Sequence, residues 1–350
     1  MVQEREVLKK VDTSKYVSTE NILADRNGVK FPANTIPLSK TITTYKKDDI
    51  LISNIRPYFK KIWKAEFDGP KSNDVIAFRT KDSRLLQDYL YVVLQSDNFF
   101  NYVTNTAKGT KMPRGDKKAI INYEFELPNI QLQRKISHTI LVLEKKIRLN
   151  NQINDNLIAI SKAKWLDLLS STSTTEVVMN KIAKITMGQS PKSSTYNTNN
   201  EGLPLLNGAT DFRENINPQR WTSDPKRVVY PNSYIFGVRA TIGLTTKVYQ
   251  KYAIGRGTGA ATPINIIYDE FLYFYLEDLF KFYSQTGSGS VYINISKKEF
   301  ENYKIDVPKI SFIEQFHSEI NPLFNQIKNN KLQNITLLQI KKDMLNKYFQ

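Results

Sequence analysis

The chain has 350 residues, with 50 Lys and Arg against 34 Asp and Glu for a formal charge of +16, and is long enough for two domains that each bury a core. A basic excess spread along the chain rather than gathered in a tail favours a polyanionic partner, nucleic acid first, over a merely solvated basic surface. The absence of Cys excludes disulfides, thiolate metal sites and zinc fingers, and with neither a signal-peptide core nor a run of about eighteen apolar residues the expected setting is cytoplasmic with no membrane partner.

In chain order, residues 45–52 and 75–79 are β-branched or aromatic runs bounded by turn residues, the pattern of strands, and residues 85–102 look helical. After Pro128 the apolar spacing becomes a heptad: Ile136, Leu143, Asn150 and Leu157 take one seam position, and Ile140, Ile147 and Asn154 the other. A polar run, residues 170–175, marks a junction. Residues 228–238 and 264–268 then read as strands and 270–283 as helix. After Pro308 the heptad returns, with Phe316, Leu323, Asn330 and Leu337 at one position and Ile320, Ile327 and Asn334 at the other. Each periodic stretch predicts a helix of about forty residues, roughly 60 Å long. Pro322 falls near enough to the second helix start to suggest a first-turn site or a kink.

An apolar stripe also suits a helix lying on its own domain. Length and the mid-seam Asn residues favour a helix–helix seam, in which Asn facing Asn fixes register at some cost in stability; solvated Asn are the alternative.

The chain repeats itself. Tyr123 to Pro128 (YEFELP) returns as Tyr303 to Pro308 (YKIDVP), displaced by 180 residues, and Gly109-Thr110 returns as Gly289-Ser290. Further upstream, residues 88–94 match 270–276 at 182, and residues 51–56 match 234–239 at 183. Four blocks kept in one order predict two copies of one architecture.

Catalytic constellations are scarce. Asn217-Pro218-Gln219-Arg220 and Asn321-Pro322-Leu323-Phe324 lack the second proline of an amino-methyltransferase motif, and no phosphate-cradling loop ending in Gly-Lys-Ser/Thr occurs. His138 and His317 read as surface or seam residues of the helices, and Glu144-Lys145-Lys146 reads as charge pairing on a helix face rather than a nuclease site. Gly255-Arg256-Gly257-Thr258-Gly259 is only loosely like a dinucleotide loop and is better explained by backbone freedom beside a binding loop. No catalytic or metal-ligating residue is assigned.

Polar and basic residues at matched points of the repeat point to DNA. In the first copy these are Asn54, Arg56, Tyr58, Lys60 and Lys61, then Lys108, Thr110, Lys111 and Arg114; in the second, Asn207, Thr210, Arg239, Thr241, Arg256, Thr258, Ser288 and Ser290. Arg and Asn can read guanine and adenine edges, whereas Lys, Ser and Gly amides suit phosphate oxygens. Surface solvation is the competing reading for any one of them; their pairing across the repeat raises the group.

Tyr16 to Asn21 (YVSTEN), Asp49 to Tyr58 (DILISNIRPY) and Ser72-Asn73-Asp74-Val75 resemble the target-recognition domains of type I restriction-modification specificity subunits. Leu206 to Thr210 (LNGAT), Gly237 to Gly243 (GVRATIG) and Ala253 to Gly257 (AIGRG) resemble the same family. The resemblance implies an α/β (α+β) protein with two pseudo-symmetric recognition domains joined by two long antiparallel coiled-coil helices. The expected limits are 1–128 and 177–308 for the domains, 129–170 and 309–350 for the helices, and 171–176 for a linker. Each domain would read one half of a bipartite site on double-stranded DNA. The helices would set the spacing and dock two modification subunits, which restriction subunits join; S-adenosylmethionine, ATP and Mg belong on those partners, with no cofactor on this chain. One departure is that only about fifteen residues precede Tyr16, against the longer stretch 177–203 before the second domain. The alternatives are a stand-alone DNA-acting enzyme such as a diverged nuclease, and a coiled-coil scaffold that binds protein.

Overall fold

The computed structural model describes residues 1–2, 4–7, 12–33, 41–212, 216–238, 244–286 and 296–349. Two compact units emerge, Met1–Asn151 with Lys331–Gln350, and Gln152–Asn330.

In the first unit, β1 (Arg5–Val7), β2 (Thr41–Tyr45) and β5 (Gly69–Lys71) form one sheet in the order β1-β2-β5; β3 (Ile50–Ser53), β4 (Ile62–Lys64) and β6 (Val75–Phe78) form another in the order β4-β3-β6. Because strand side chains alternate, β3 is buried on both faces. Ile50 and Ile52 pack with Tyr91, Leu94, Phe99 and Phe100 of the helical segments, while Leu51 packs with Val17, Tyr45 and Trp63. The helices are α1 (Gln87–Val93), α2 (Asp97–Asn105) and α3 (Lys117–Ile121), followed by the long α4 (Ile130–Ser171). The single helix expected over 85–102 is therefore two. Ser96 separates them, its hydroxyl accepting from Phe99 N at 3.1 Å as the cap of α2. The strand expected over 45–52 is likewise two, parted by a turn at Lys46–Asp49 that Asp49 closes by accepting from Lys46 N at 2.9 Å.

The second unit contains β7 (Thr174–Val178), β8 (Ala183–Met187), β9 (Tyr196–Asn197), β10 (Leu203–Leu206), β11 (Arg220–Thr222), β12 (Val228–Val229), β13 (Tyr234–Gly237), β14 (Thr245–Lys247), β15 (Tyr252–Ile254), β16 (Thr258–Pro263) and β17 (Lys304–Pro308). They make sheets ordered β12-β15-β10-β11-β9, β14-β13-β16-β8 and β17-β7. Helices α5 (Asp269–Thr286), α6 (Lys297–Glu301) and the long α7 (Ile310–Phe349) complete the chain. Residues 264–268, expected as a strand, instead hold a 3₁₀ turn, Ile266–Tyr268, capped where Asn265 accepts from Ile267 N. The junction expected over 171–176 narrows to two residues, because α4 runs to Ser171 and Thr174 opens β7, which pairs with β17.

The repeat is exact in its pairing. Ile50 faces Lys64 and Phe78, as Tyr234 faces Lys247 and Ala261; Ile52 faces Ile62 and Ile76, as Phe236 faces Thr245 and Gly259. The central strands therefore correspond at a displacement of 184, one more than sequence matching suggests, and Leu51 answers Ile235. Burial agrees: Tyr234 and Phe236 face the α5 side, and Ile235 the second sheet. A one-residue error would have turned every side chain to the wrong face.

Within each unit the long helices run antiparallel. In the first, Ile136 and Ile140 share a cluster with Leu345, Glu144 pairs with Lys341 at 2.6 Å, and Asn150 Nδ2 donates to Asn334 Oδ1 at 2.8 Å. In the second, Asn330 Nδ2 donates to Asn154 Oδ1 at 2.8 Å, and Lys164 pairs with Glu319 at 2.6 Å. None of the fourteen heptad positions is exposed: Leu143, Ile147, Leu157, Leu323 and Leu337 are half-buried and the others buried, with the four Asn inside the seam rather than solvated. Pro322 lies well inside α7, not in its first turn, and the helix continues through it.

Candidate nucleic-acid interface

In the first unit two loops that the sequence offers separately lie against each other. Beyond β3, Asn54 N donates to the Asp74 carbonyl at 2.8 Å and the Asn54 carbonyl accepts from Gly115 N at 3.0 Å. Arg56 N then donates to the Pro113 carbonyl at 2.8 Å, while Ile55 bridges to Arg114 and Arg114 to Lys108. Residues 109–113 are thus the tip of a short ribbon, turned by Gly109 at φ +93°.

On this surface Arg56, Thr110 and Lys111 are exposed with no side-chain partner among the described residues. Lys108 pairs with Asp116 at 2.6 Å while 79% exposed, and Arg114 makes only a 3.4 Å contact with Asp74. Such exposed pairs are worth little and yield readily to a phosphate. Tyr58 is 46% exposed beside Phe59, with ring centroids 4.7 Å apart.

Three expected contacts are committed elsewhere. Lys60 binds Asp97 at 2.6 Å, a carboxylate it shares with Arg26. Lys61 gives its ammonium to the Thr19 carbonyl, and burial lowers its pKa against a smaller upward pull from Glu20. Asn54 is buried, with Oδ1 unpartnered among the described residues and placed where a Cβ on Gly115 would come within 2.9 Å of it. Lys60 and Lys61 are thus held by partners within the unit, and Asn54 lies beneath the surface.

In the second unit Asn207 follows β10. Its N–H donates to the Asp211 carboxylate at 2.7 Å, its carbonyl accepts from Gly257 N at 3.1 Å, and its side-chain oxygen accepts from Ser190 Oγ at 3.3 Å. A Cβ on Gly255 would sit 1.9 Å from Asn207 Oδ1, and one on Gly257 2.3 Å from the Asn207 carbonyl oxygen. Neither glycine has a positive φ, so their role is close backbone approach and not the conformational freedom expected. Arg256, between them, is exposed, and its guanidinium has no partner among the described residues. Asn207 and Thr210 line an open cleft of about 320 Å³ with Tyr196, Gly208, Gln219 and Arg220, whose guanidinium lies 5.9 Å from the Tyr196 ring centroid. Thr258 is fully buried, its hydroxyl donating to the Leu206 carbonyl at 3.0 Å, and so supports the loop from beneath. Arg239, Thr241, Ser288 and Ser290 lie outside the described residues.

The model of the type I restriction modification DNA specificity domain matches this chain twice, over residues 4–158 and 174–337. The chain belongs to that family. The two matches within the specificity family close at equivalent turns of the two long helices. A protein named as the specificity subunit of type I restriction enzyme MjaX, from Methanocaldococcus jannaschii, is 24% identical over 298 residues, 78% of this chain and 69% of its own. The crystal structure of a type I restriction-modification S subunit from M. genitalium aligns with a TM-score of 0.57 at 14% identity, over 99% of this chain and 94% of that one. The HsdS subunit from Thermoanaerobacter tengcongensis aligns at 22% identity over 100% and 94%, with a TM-score of 0.40.

Beside this specificity fold, sequence reading missed a buried polar joint. Glu270, at the start of α5, accepts from Asn321 at 2.9 Å and lies 2.6 Å from His317 Nδ1, both on α7. Burial and neighbouring Asp269 raise the Glu270 pKa against those two partners. Asn321-Pro322 is therefore part of a structural clamp, as is Glu144 through Lys341. Only the neighbourhood in the fold could have shown this. Among the described residues no group of three or more His, Asp or Glu could hold a metal ion, and no helix is long and apolar enough to cross a membrane.

Proposed function

We propose that this chain is the DNA-reading subunit of a type I restriction-modification complex and that it performs no chemistry itself. Each recognition domain reads one half of a bipartite duplex site in the cytoplasm. The long helices fix the separation of the halves and dock two modification subunits, which supply S-adenosylmethionine; restriction subunits join with ATP and Mg. The observation that carries this reading is the same sheet built twice in the same register, each copy ahead of a long helix of the same seam. A molecule doubled in this way suits a target read in two parts. Arg56 and Lys111 in one unit and Arg256 in the other are exposed cations, without partners among the described residues, suited to phosphates or guanine edges.

The test is DNA binding and base methylation by the purified chain alone and with a co-purified modification subunit. Sequence-specific methylation is expected only from the complex. Methylation or cleavage by the chain alone would overturn the non-catalytic reading, and a complex without sequence preference would overturn the assignment as the reader.

A further inference from the structure

The Pro57–Phe59 turn is unusually constrained for a surface feature. Both flanking residues, Arg56 and Lys60, adopt left-handed backbone at φ +50°, a conformation that non-glycine residues disfavour. Several bonds enforce it. Phe59 N donates to the Arg56 carbonyl at 3.0 Å, Arg56 N to Pro113, and Arg26 N to the Lys60 carbonyl at 3.1 Å, while the Lys60 ammonium is held on Asp97. This scaffold presents Tyr58 and Phe59, 46% and 39% exposed, tilted against each other and flanked by the exposed cation Arg56. One exposed aromatic needs no explanation. Two adjacent rings fixed by a strained turn on the cationic face do.

We propose that Tyr58 and Phe59 are a base-reading element of the first recognition domain, meeting the 5-methyl group of a thymine in the major groove. The ring faces of Tyr58 and Phe59 are apolar, and the thymine methyl is the one apolar mark on a major-groove base edge. Adjacent Arg56 neutralises backbone charge or reads the neighbouring base. The matching stretch of the second copy, Arg239-Ala240-Thr241-Ile242-Gly243, carries no aromatic residue, so this contact belongs to one half-site only. The inference rests on the reading of the chain as a DNA-specificity subunit.

The test selects bound sequences from a randomised duplex library with the complete complex, for the parent chain, Tyr58→Ala, Phe59→Ala and the gentler Phe59→Leu. Both alanine variants should lose the thymine preference at one or two positions of one half-site and keep the other half-site and the gap. Replacing that thymine by deoxyuridine should weaken the parent about five- to tenfold, in the range of a single base contact, and the Phe59→Ala complex hardly at all. Unchanged selection, or equal weakening on every sequence, would overturn the proposal. A parent complex that selects nothing would instead overturn the specificity reading on which it rests.

Discussion

Arg56 combines left-handed backbone with an exposed guanidinium that has no partner among the described residues. Arg56→Ala should weaken specific binding by about 1–3 kcal/mol at one half-site if the side chain reads a base; a phosphate contact would weaken all sequences alike and lower the salt slope by about one. Filter binding at several salt concentrations separates the two, and unchanged affinity would remove Arg56 from the interface. Asp97 supports the same turn from behind. Burial raises its pKa, but hydrogen bonds from Lys60 and Arg26 outweigh this and bring it from 3.8 down to about 2. A depressed carboxylate stabilises the fold above its unfolded pKa and loses that contribution as pH falls through the folded value. Melting temperatures from pH 5 to pH 2 should therefore fall more steeply for the parent than for Asp97→Asn; equal slopes would show that Asp97 contributes no such linkage. At this scale the sequence was only half legible. Residue type identified Arg56, Lys111, Asn207 and Arg256 as candidates, but exposure belongs to the fold. Lys60, Lys61 and Thr258 have suitable chemistry but are held by internal bonds, and Asn54 is buried.

Helices were easier to read than strands because a heptad declares its buried face many times over, whereas a three- or four-residue strand declares it twice. All fourteen seam positions turned inward, yet the central-strand match missed by one residue because β3 and β13 are buried on both faces and so lose their alternation. The two Asn–Asn bonds, Asn150 to Asn334 and Asn330 to Asn154, are related by the 180-residue repeat and share one donor direction. Each has further amide neighbours: Gln333 accepts from Asn150, and Gln326 donates to Asn330. Asn154→Leu should thus cost about 1–3 kcal/mol, largely because Asn330 is left buried without its acceptor. The Asn154→Leu/Asn330→Leu double variant should recover most of that loss while loosening register. Denaturant titration of the three proteins checks this. If the double variant were as unstable as the single ones added together, the Asn residues would not be acting as a pair.

At the scale of the whole molecule the doubling is not complete. β17 pairs with β7, but the matching residues 124–128 form no strand. Similarly, β8 lines the edge of β16, where the first unit has, among the described residues, an isolated bridge from Val2 to Ala77. The helix pair is the part most nearly symmetric: residues 151–161 and 331–341 have the same burial at every position. The division between the units falls there, after Asn151 in α4 and after Asn330 in α7, so that each unit keeps one Asn pair. If the helices set the gap between half-sites, matched insertions at these two points should change it. Four residues added after Asn151 and four after Asn330 would lengthen each helix by about 6 Å, and four residues turn about 400°, within about 40° of a whole turn. Each seam half would keep its own register, including Asn150 on Asn334 and Asn154 on Asn330. At about 3.4 Å per base pair, 6 Å corresponds to one or two base pairs. Inserting four residues in α4 alone would instead slip it against α7 and strand the Asn amides, so instability is expected there. The measurement is gap preference on targets with fixed half-sites and variable spacers. A well-folded double insertion should prefer the longer gap with both half-sites unchanged; if it keeps the parental gap, the helices do not act as the ruler.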